Sequence, residues 1–214
     1  MNHDEREMRL KTARELVQYV RKTAVYRALA KAFDSPEGNL FERSDDATMT
    51  AQVAAILWAV GHVAARTVLE TGTNKGFFGL LLAQVFDRRR TLYTFDCDER
   101  AAAAASLLNL EQDVIRVRFI LGDTRETLKD FDEPIDLAWI DGGHDAKTAY
   151  SDITHAMRLG ARWILIDDAK QMASVAVAVL SAMADRPDYE RVEHPWWGQD
   201  ARGVAMLRRL TDVL

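Results

Sequence analysis

Cysteine is nearly missing from this chain of 214 residues, with Cys97 the only one. An intramolecular disulfide and a cysteine-based zinc cluster are thereby excluded, and the chain reads as one made for a reducing, cytoplasmic setting. Prolines number four and glycines eleven, too few for a long low-complexity linker. No stretch approaches the ~18 apolar residues needed to span a bilayer. The opening residues Met1-Asn2-His3-Asp4-Glu5-Arg6-Glu7 are charged with no apolar run behind them, which is not the form of a secretory signal. Basic charge is in deficit as well. The formal net charge is −5, whereas a nucleic-acid partner calls for a basic field. Arg88-Arg89-Arg90 is the local exception, and it follows an apolar helix whose negative end favours cations. The expected partner is a small molecule, with neither nucleic acid nor membrane involved.

What is present is ordinary for a soluble globular protein: 48% hydrophobic and 29% charged residues. The length suits one sizeable core and is short for two domains. Leu10, Ala13, Val17, Val20, Ala24 and Ala28 recur in steps of three and four, predicting one helix over 6–32 that Asp34-Ser35-Pro36-Glu37-Gly38 ends. Its amphipathic face offers a surface for a homo-oligomer. A second helix starts near Thr48 and runs through Val53, Ile56, Leu57 and Val60.

From Thr67 onward short apolar strands alternate with helices. The strands are expected at 67–71, 91–96, 117–121, 135–141, 163–167, 189–192 and 203–208, and the helices at 77–86, 99–110, 124–129, 146–157 and 170–184. This interleaving predicts an α/β fold, a mostly parallel sheet with helices on both faces. Ligands in such folds lie beyond the carboxyl ends of the strands, so the residues at those ends matter most.

The first strand runs into Glu70-Thr71-Gly72-Thr73-Asn74-Lys75-Gly76. Gly72 permits a sharp turn under a ligand, and Gly76 lets the next helix approach the sheet. Neither the phosphate-loop spacing nor the dinucleotide pattern G-x-G-x-x-G is present, which weighs against an NAD-dependent oxidoreductase. Asp96 ends the second strand, where an acid can accept from both hydroxyls of a ribose. Asp123-Thr124 follows the third strand; Asp123 can take an exocyclic amine or cap the next helix. The fourth strand delivers Asp141-Gly142-Gly143-His144 and the fifth Asp167-Asp168. Carboxylates 4 Å apart repel by about 4 kcal/mol at an effective dielectric of 20, so three together need a proton or a cation such as Mg²⁺. The alternative is that one caps the following helix while another faces solvent. His144 sits where it can serve as a general base. His3, His62, His155 and His194 have no comparable setting.

Over roughly residues 49–209 these motifs resemble the class I S-adenosylmethionine-dependent methyltransferases. Val68-Leu69-Glu70-Thr71-Gly72-Thr73-Asn74-Lys75-Gly76 is similar to their acid-x-Gly-x-x-x-Gly signature. Ile140-Asp141-Gly142-Gly143-His144, Asp152 and Ile166-Asp167-Asp168 resemble the macrocin O-methyltransferase and cephalosporin-hydroxylase-like group. The resemblance implies a Rossmann-like sheet of seven mostly parallel strands in residues 48–214. Residues 1–47 are then an N-terminal helical extension acting as lid or oligomer contact. It implies S-adenosylmethionine held by Glu70, Gly72, Thr73, Gly76, Asp96, Asp123 and Thr124. It further implies Mg²⁺ on Asp141, Asp167 and Asp168, with His144 and Asp141 catalytic. The reaction implied is O-methylation of a small hydroxylated acceptor: a sugar, a catechol-like ring or a natural product. A catalytically inactive accessory protein that keeps the pocket for partner assembly is the other reading. Trp196 and Trp197 have three roles open to them: interface, substrate pocket or core.

Overall fold

The computed structural model describes residues 3–34, 46–111 and 113–210. Among the described residues, seven strands form one sheet: β1 (Thr67–Thr71), β2 (Arg90–Asp96), β3 (Ile115–Leu121), β4 (Leu137–Ile140), β5 (Trp163–Ile166), β6 (Tyr189–Val192) and β7 (Ala205–Arg209). Their spatial order is β3-β2-β1-β4-β5-β7-β6. The first five are parallel; β7 runs antiparallel between β5 and β6. This is the sheet that the resemblance implies. Burial explains the strand compositions. β4 and β5 are apolar throughout and fully covered, whereas the edge strand β3 alternates buried Ile115 and Val117 with exposed Arg116 and Arg118.

Each face of the sheet carries its own apolar core. On one lie α1 (His3–Lys22), α2 (Ala24–Ala32), α3 (Asp46–His62), α4 (Phe77–Val85) and α5 (Ala102–Glu111, entered through a 3₁₀ turn at Glu99–Ala101). On the other, α7 (Ala146–Arg158) and α8 (Ala173–Asp185) pack side by side, with the short α6 (Thr124–Thr127) beside α7. The single helix expected over 6–32 is in fact two. Thr23 breaks it: its backbone is extended at ψ 152, and its hydroxyl accepts from the Tyr26 N–H at 3.2 Å. A threonine inside an apolar repeat has stopped one helix and capped the next. The turn expected to end this segment, 34–38, lies outside the described residues after Asp34.

The parallel ladder continues one residue beyond the strands. Gly72 N–H donates to Phe95 O at 2.8 Å, Gly122 N–H to Asp96 O at 2.9 Å, Asp141 N–H to Thr71 O at 2.9 Å and Asp167 N–H to Ile140 O at 3.0 Å. The turn residues of five strands are thereby stitched into one rim. The strand order reverses direction between β1 and β4, the crevice where such sheets bind ligands.

Candidate active site

Gly72 opens the rim. Its φ is +85, and a Cβ there would come 2.1 Å from the carbonyl oxygen of Asp141, so the loops after β1 and β4 touch only because no side chain intervenes. Asn74, at φ 46, turns its N–H onto Asp96 Oδ2 at 2.8 Å. The other oxygen of Asp96 accepts from Asp98 N–H at 2.9 Å. Asp96 is therefore locked to the glycine bend by backbone donors, each of its oxygens keeping a lone pair to offer. Asp98 caps the 3₁₀ turn, accepting from Arg100 N–H.

Asp123 caps α6 and is also gripped by the Arg125 guanidinium, whose Nε lies 3.0 and 3.1 Å from its two oxygens. Those hydrogen bonds hold its carboxyl down at about 2. Gly72, Asp96, Asp123, Thr124 and Gly142–His144 line a cavity of about 570 Å³, within the usual range of roughly 300–1,000 Å³ for small-ligand pockets. Acids from β2 and β3 facing a side-chain-free bend fit a nucleoside. Gly76 stands behind that surface, whereas Thr73 lines the adjoining cavity. Thr73 is buried against Thr94 at 2.5 Å, and a Cβ on Gly76 would meet Ala104 of α5 at 2.8 Å.

Glu70 is buried beneath the bend, where it accepts from the Thr94 hydroxyl at 2.5 Å. Burial pushes its carboxyl up to about 8 despite that hydrogen bond. Asp152 is fully buried under the β4 loop, and a Cβ on Gly142 would approach its Oδ2 to 3.2 Å. Burial raises this carboxyl to about 6, and neither of its oxygens has a hydrogen-bond partner among the described residues.

At the ends of β4 and β5 the acids are disposed unequally. Arg202, on the loop before β7, meets Asp168 with Nε to Oδ1 at 2.6 Å and a terminal nitrogen to Oδ2 at 2.9 Å. The same guanidinium reaches Asp167 Oδ2 at 3.1 Å. Gln52 of α3 donates to Asp167 Oδ1 at 2.8 Å. His144 Nε2 lies 2.8 Å from Asp168 Oδ2 and 4.0 Å from Asp141 Oδ1. Burial would raise Asp168, but the close His144 imidazole and the hydrogen bonds from Arg202 outweigh it and hold the carboxyl at about 2. The His144 imidazole is raised in turn by its bond to Asp168. Asp167 sits at about 6, raised by burial and drawn back by Arg202. Asp141 is raised by burial and by Asp167.

The trio Asp141, Asp167 and Asp168 expected to hold Mg²⁺ is not the set whose ligand atoms converge. Asp141, His144 and Asp168 come within 4.8 Å of one another instead. Both oxygens of Asp168 and both of Asp167 already face N–H donors. A dication about 4 Å from the guanidinium would meet a repulsion of about 8 kcal/mol at an effective dielectric of 20. Mg²⁺ prefers an all-oxygen shell that keeps its waters, and this donor set contains an imidazole and a fixed cation. It does not fit Mg²⁺. The alternative helix-capping role fails too, since the N-cap of α8 is Met172 with no side-chain bond.

A second cavity of about 440 Å³ adjoins the first, the two sharing Gly72, Asn74, Lys75, Asp141 and His144. Its far wall is apolar, from Met49, Val53 and Ile56 of α3 and from Phe77, Phe78 and Trp139; the Phe78 and Trp139 rings stack at 5.2 Å. Asp167 and Arg202 close its polar end. Trp196 and Trp197 line neither cavity. Trp196 is fully buried in the core, and Trp197 is flanked by Lys170 at 4.6 Å and Arg191 at 4.9 Å. His194 is buried as well, which pushes its imidazole down to about 4.

Arg202 and Gln52 were missed from sequence, though each left a signal. Gln52 is a lone amide among Ala51, Val53, Ala54 and Ala55 on a helix buried nearly all round, and a buried amide needs a partner. Arg202 precedes the last strand candidate, and two adjacent buried acids need a cation from somewhere.

Residues 69–169 match the family model described as a methyltransferase domain. No curated protein matches the chain. Among solved structures, the chain is similar to the SAH-bound Podospora anserina methyltransferase PaMTH1 (TM-score 0.63, 16% identity, covering 93% of this chain and 95% of that one). It is also similar to the O-methyltransferase from Bacillus cereus in complex with SAH (0.58, 18%, 94% and 100%). A third likeness is to the O-methyltransferase TomG from Streptomyces achromogenes, involved in tomaymycin synthesis, in complex with SAM (0.58, 18%, 89% and 91%). At these identities the structures share the fold. The family match is to the methyltransferase domain as such and does not reach the macrocin-type subgroup.

Proposed function

We propose, from the methyltransferase-domain match over residues 69–169, that the chain is a class I S-adenosylmethionine-dependent methyltransferase that methylates an oxygen of a small hydroxylated acceptor. One observation carries this reading: a cavity lined by Asp96, Asp123 and Thr124 and an aromatic-walled cavity meet where Gly72, Asp141 and His144 lie. In it, Asp96 takes the ribose hydroxyls, and the Asp123-Thr124 turn faces the adenine. Gly72 leaves the bend bare for the methionine end, with Glu70 buried beneath as its support. When bound, S-adenosylmethionine supplies an electrophilic methyl group whose bonding electrons return to sulfur as the acceptor oxygen takes the carbon. The chain's own part is to align the two partners, worth ~7–11 kcal/mol where geometry is well held, and to accept the acceptor's proton.

His144 is the base of this proposal. Its Nε2 is committed to Asp168, so the proton goes to Nδ1, and the resulting imidazolium is stabilised by the carboxylate behind it. A base raised by that pairing is active only when neutral, so turnover rises with pH through its raised pKa. The stacked Phe78 and Trp139 favour a planar hydroxylated ring over a sugar. Because α3 builds the apolar wall, the helices ahead of the sheet serve acceptor recognition.

Calorimetry with S-adenosylhomocysteine tests the reading. The chain is expected to bind it and not NAD, and Asp96→Ala is expected to weaken binding by about tenfold or more, the loss of a charged hydrogen-bond acceptor. His144→Ala should retain that affinity yet lose methyl transfer to catechol-like acceptors. Equal affinity for NAD, or an indifferent Asp96→Ala, would overturn it.

A further inference from the structure

We infer that Arg202 is a built-in counter-cation, holding at the paired aspartates the charge that a divalent ion would otherwise supply, so that the site works without a metal. The inference rests on the methyltransferase reading above. Its basis is a guanidinium set in place by its own scaffold rather than a surface side chain that happens to fold over.

That scaffold begins with Asp200, a fully buried carboxylate whose two oxygens accept from Gly203 N–H and Val204 N–H, both at 2.8 Å. The loop is then sewn to the residues after β5: Ala169 N–H donates to Gly203 O at 2.9 Å and Lys170 N–H to Arg202 O at 3.0 Å. Gly203, at φ +79, leaves no room for a side chain, since a Cβ would lie 2.6 Å from the Lys170 side chain. These bonds fix Arg202 directly across from Asp167 and Asp168.

The acids are shaped to receive it. Asp168 holds a left-handed backbone at φ 60, a conformation that costs an aspartate energy and persists where surrounding contacts impose it. There its carboxylate meets the guanidinium fork with both oxygens, the bidentate geometry that lysine does not reproduce. Gln52 takes the oxygen of Asp167 that faces away from Arg202. With all four carboxylate oxygens given donors in this way, Asp168 is fixed where it orients His144, and the guanidinium edge borders the acceptor cavity. Arg202 is a positioning residue: it acts on the acceptor through Asp168 and His144.

Titration with Mn²⁺, followed by its electron paramagnetic resonance, tests this directly. The unaltered protein is expected to bind no Mn²⁺ at micromolar concentration. Arg202→Met, which leaves two buried acids without a cation, is expected to gain Mn²⁺ affinity by about tenfold or more. Arg202→Lys, which restores the charge, should reverse that gain. Micromolar Mn²⁺ binding by the unaltered protein, removed by Asp168→Asn, would overturn the inference. That arm needs no Arg202 variant and so decides the matter even if Arg202→Met fails to fold. S-adenosylhomocysteine binding measured on the same samples in chelator separates the two proposals. Its absence from the unaltered protein would count against the methyltransferase reading, while the Mn²⁺ titration still decides the part of Arg202.

Discussion

Glu70 shows how a single buried carboxyl sets a pH dependence. Its usual value is 4.5 and burial lifts it to about 8 in the folded chain. Below 4.5 both states carry the proton, and above about 8 both have lost it. Between these limits the folded state binds more protons than the unfolded one, so stability falls as pH rises. Asp152 and Asp167, both raised to about 6, add to the lower part of that slope. Glu70→Gln should therefore flatten the loss of stability from pH 5 to 8, a difference readable in urea unfolding at several pH values. An unchanged slope would mean that Glu70 stays ionised in the fold. Asp168 and Asp123 lie on the other side of the ledger: both are held at about 2, and what they contribute is lost only in acid.

Among the elements, the loop between β6 and β7 carries the most unexpected part of the site. Asp200→Ala would orphan two buried N–H groups and release the segment that aims Arg202, costing about 3 kcal/mol of stability. Asp200→Asn keeps one acceptor and should cost less. Denaturant midpoints report both, and a loss under about 1 kcal/mol for the alanine variant would contradict the anchoring role. Elements differed in how plainly the sequence announced them. β1 and β6 match the limits expected from sequence, because turn residues stand beside both short segments. The division of α1 from α2 was hidden, since Val20, Ala24 and Ala28 keep the helical spacing across the break. Only the capping hydroxyl of Thr23 marked it.

At the level of the whole molecule, the order β3-β2-β1-β4-β5-β7-β6 explains why distant residues share a rim. Parallel strands place every turn at the same end, so Glu70, Asp96, Asp123, Asp141 and Asp167 could be grouped from their positions at the carboxyl ends of strand candidates. Arg202 could not. It reaches the rim from an antiparallel strand inserted beside β5, where its amino end, not its carboxyl end, faces the site. Rules for parallel strands do not anticipate that contribution. The expected metal trio was likewise a statement about charge: three acids need a cation, and the fold supplies one from its own sequence.

The most direct measurement is a crystal structure of the chain with S-adenosylhomocysteine. The ribose should lie on Asp96, with the adenine by Asp123-Thr124 and the sulfur at the junction beside Gly72, Asp141 and His144. A nucleoside bound anywhere other than the rim between β1 and β4, or with its sulfur turned away from His144, would contradict the methyl-transfer site described for this chain.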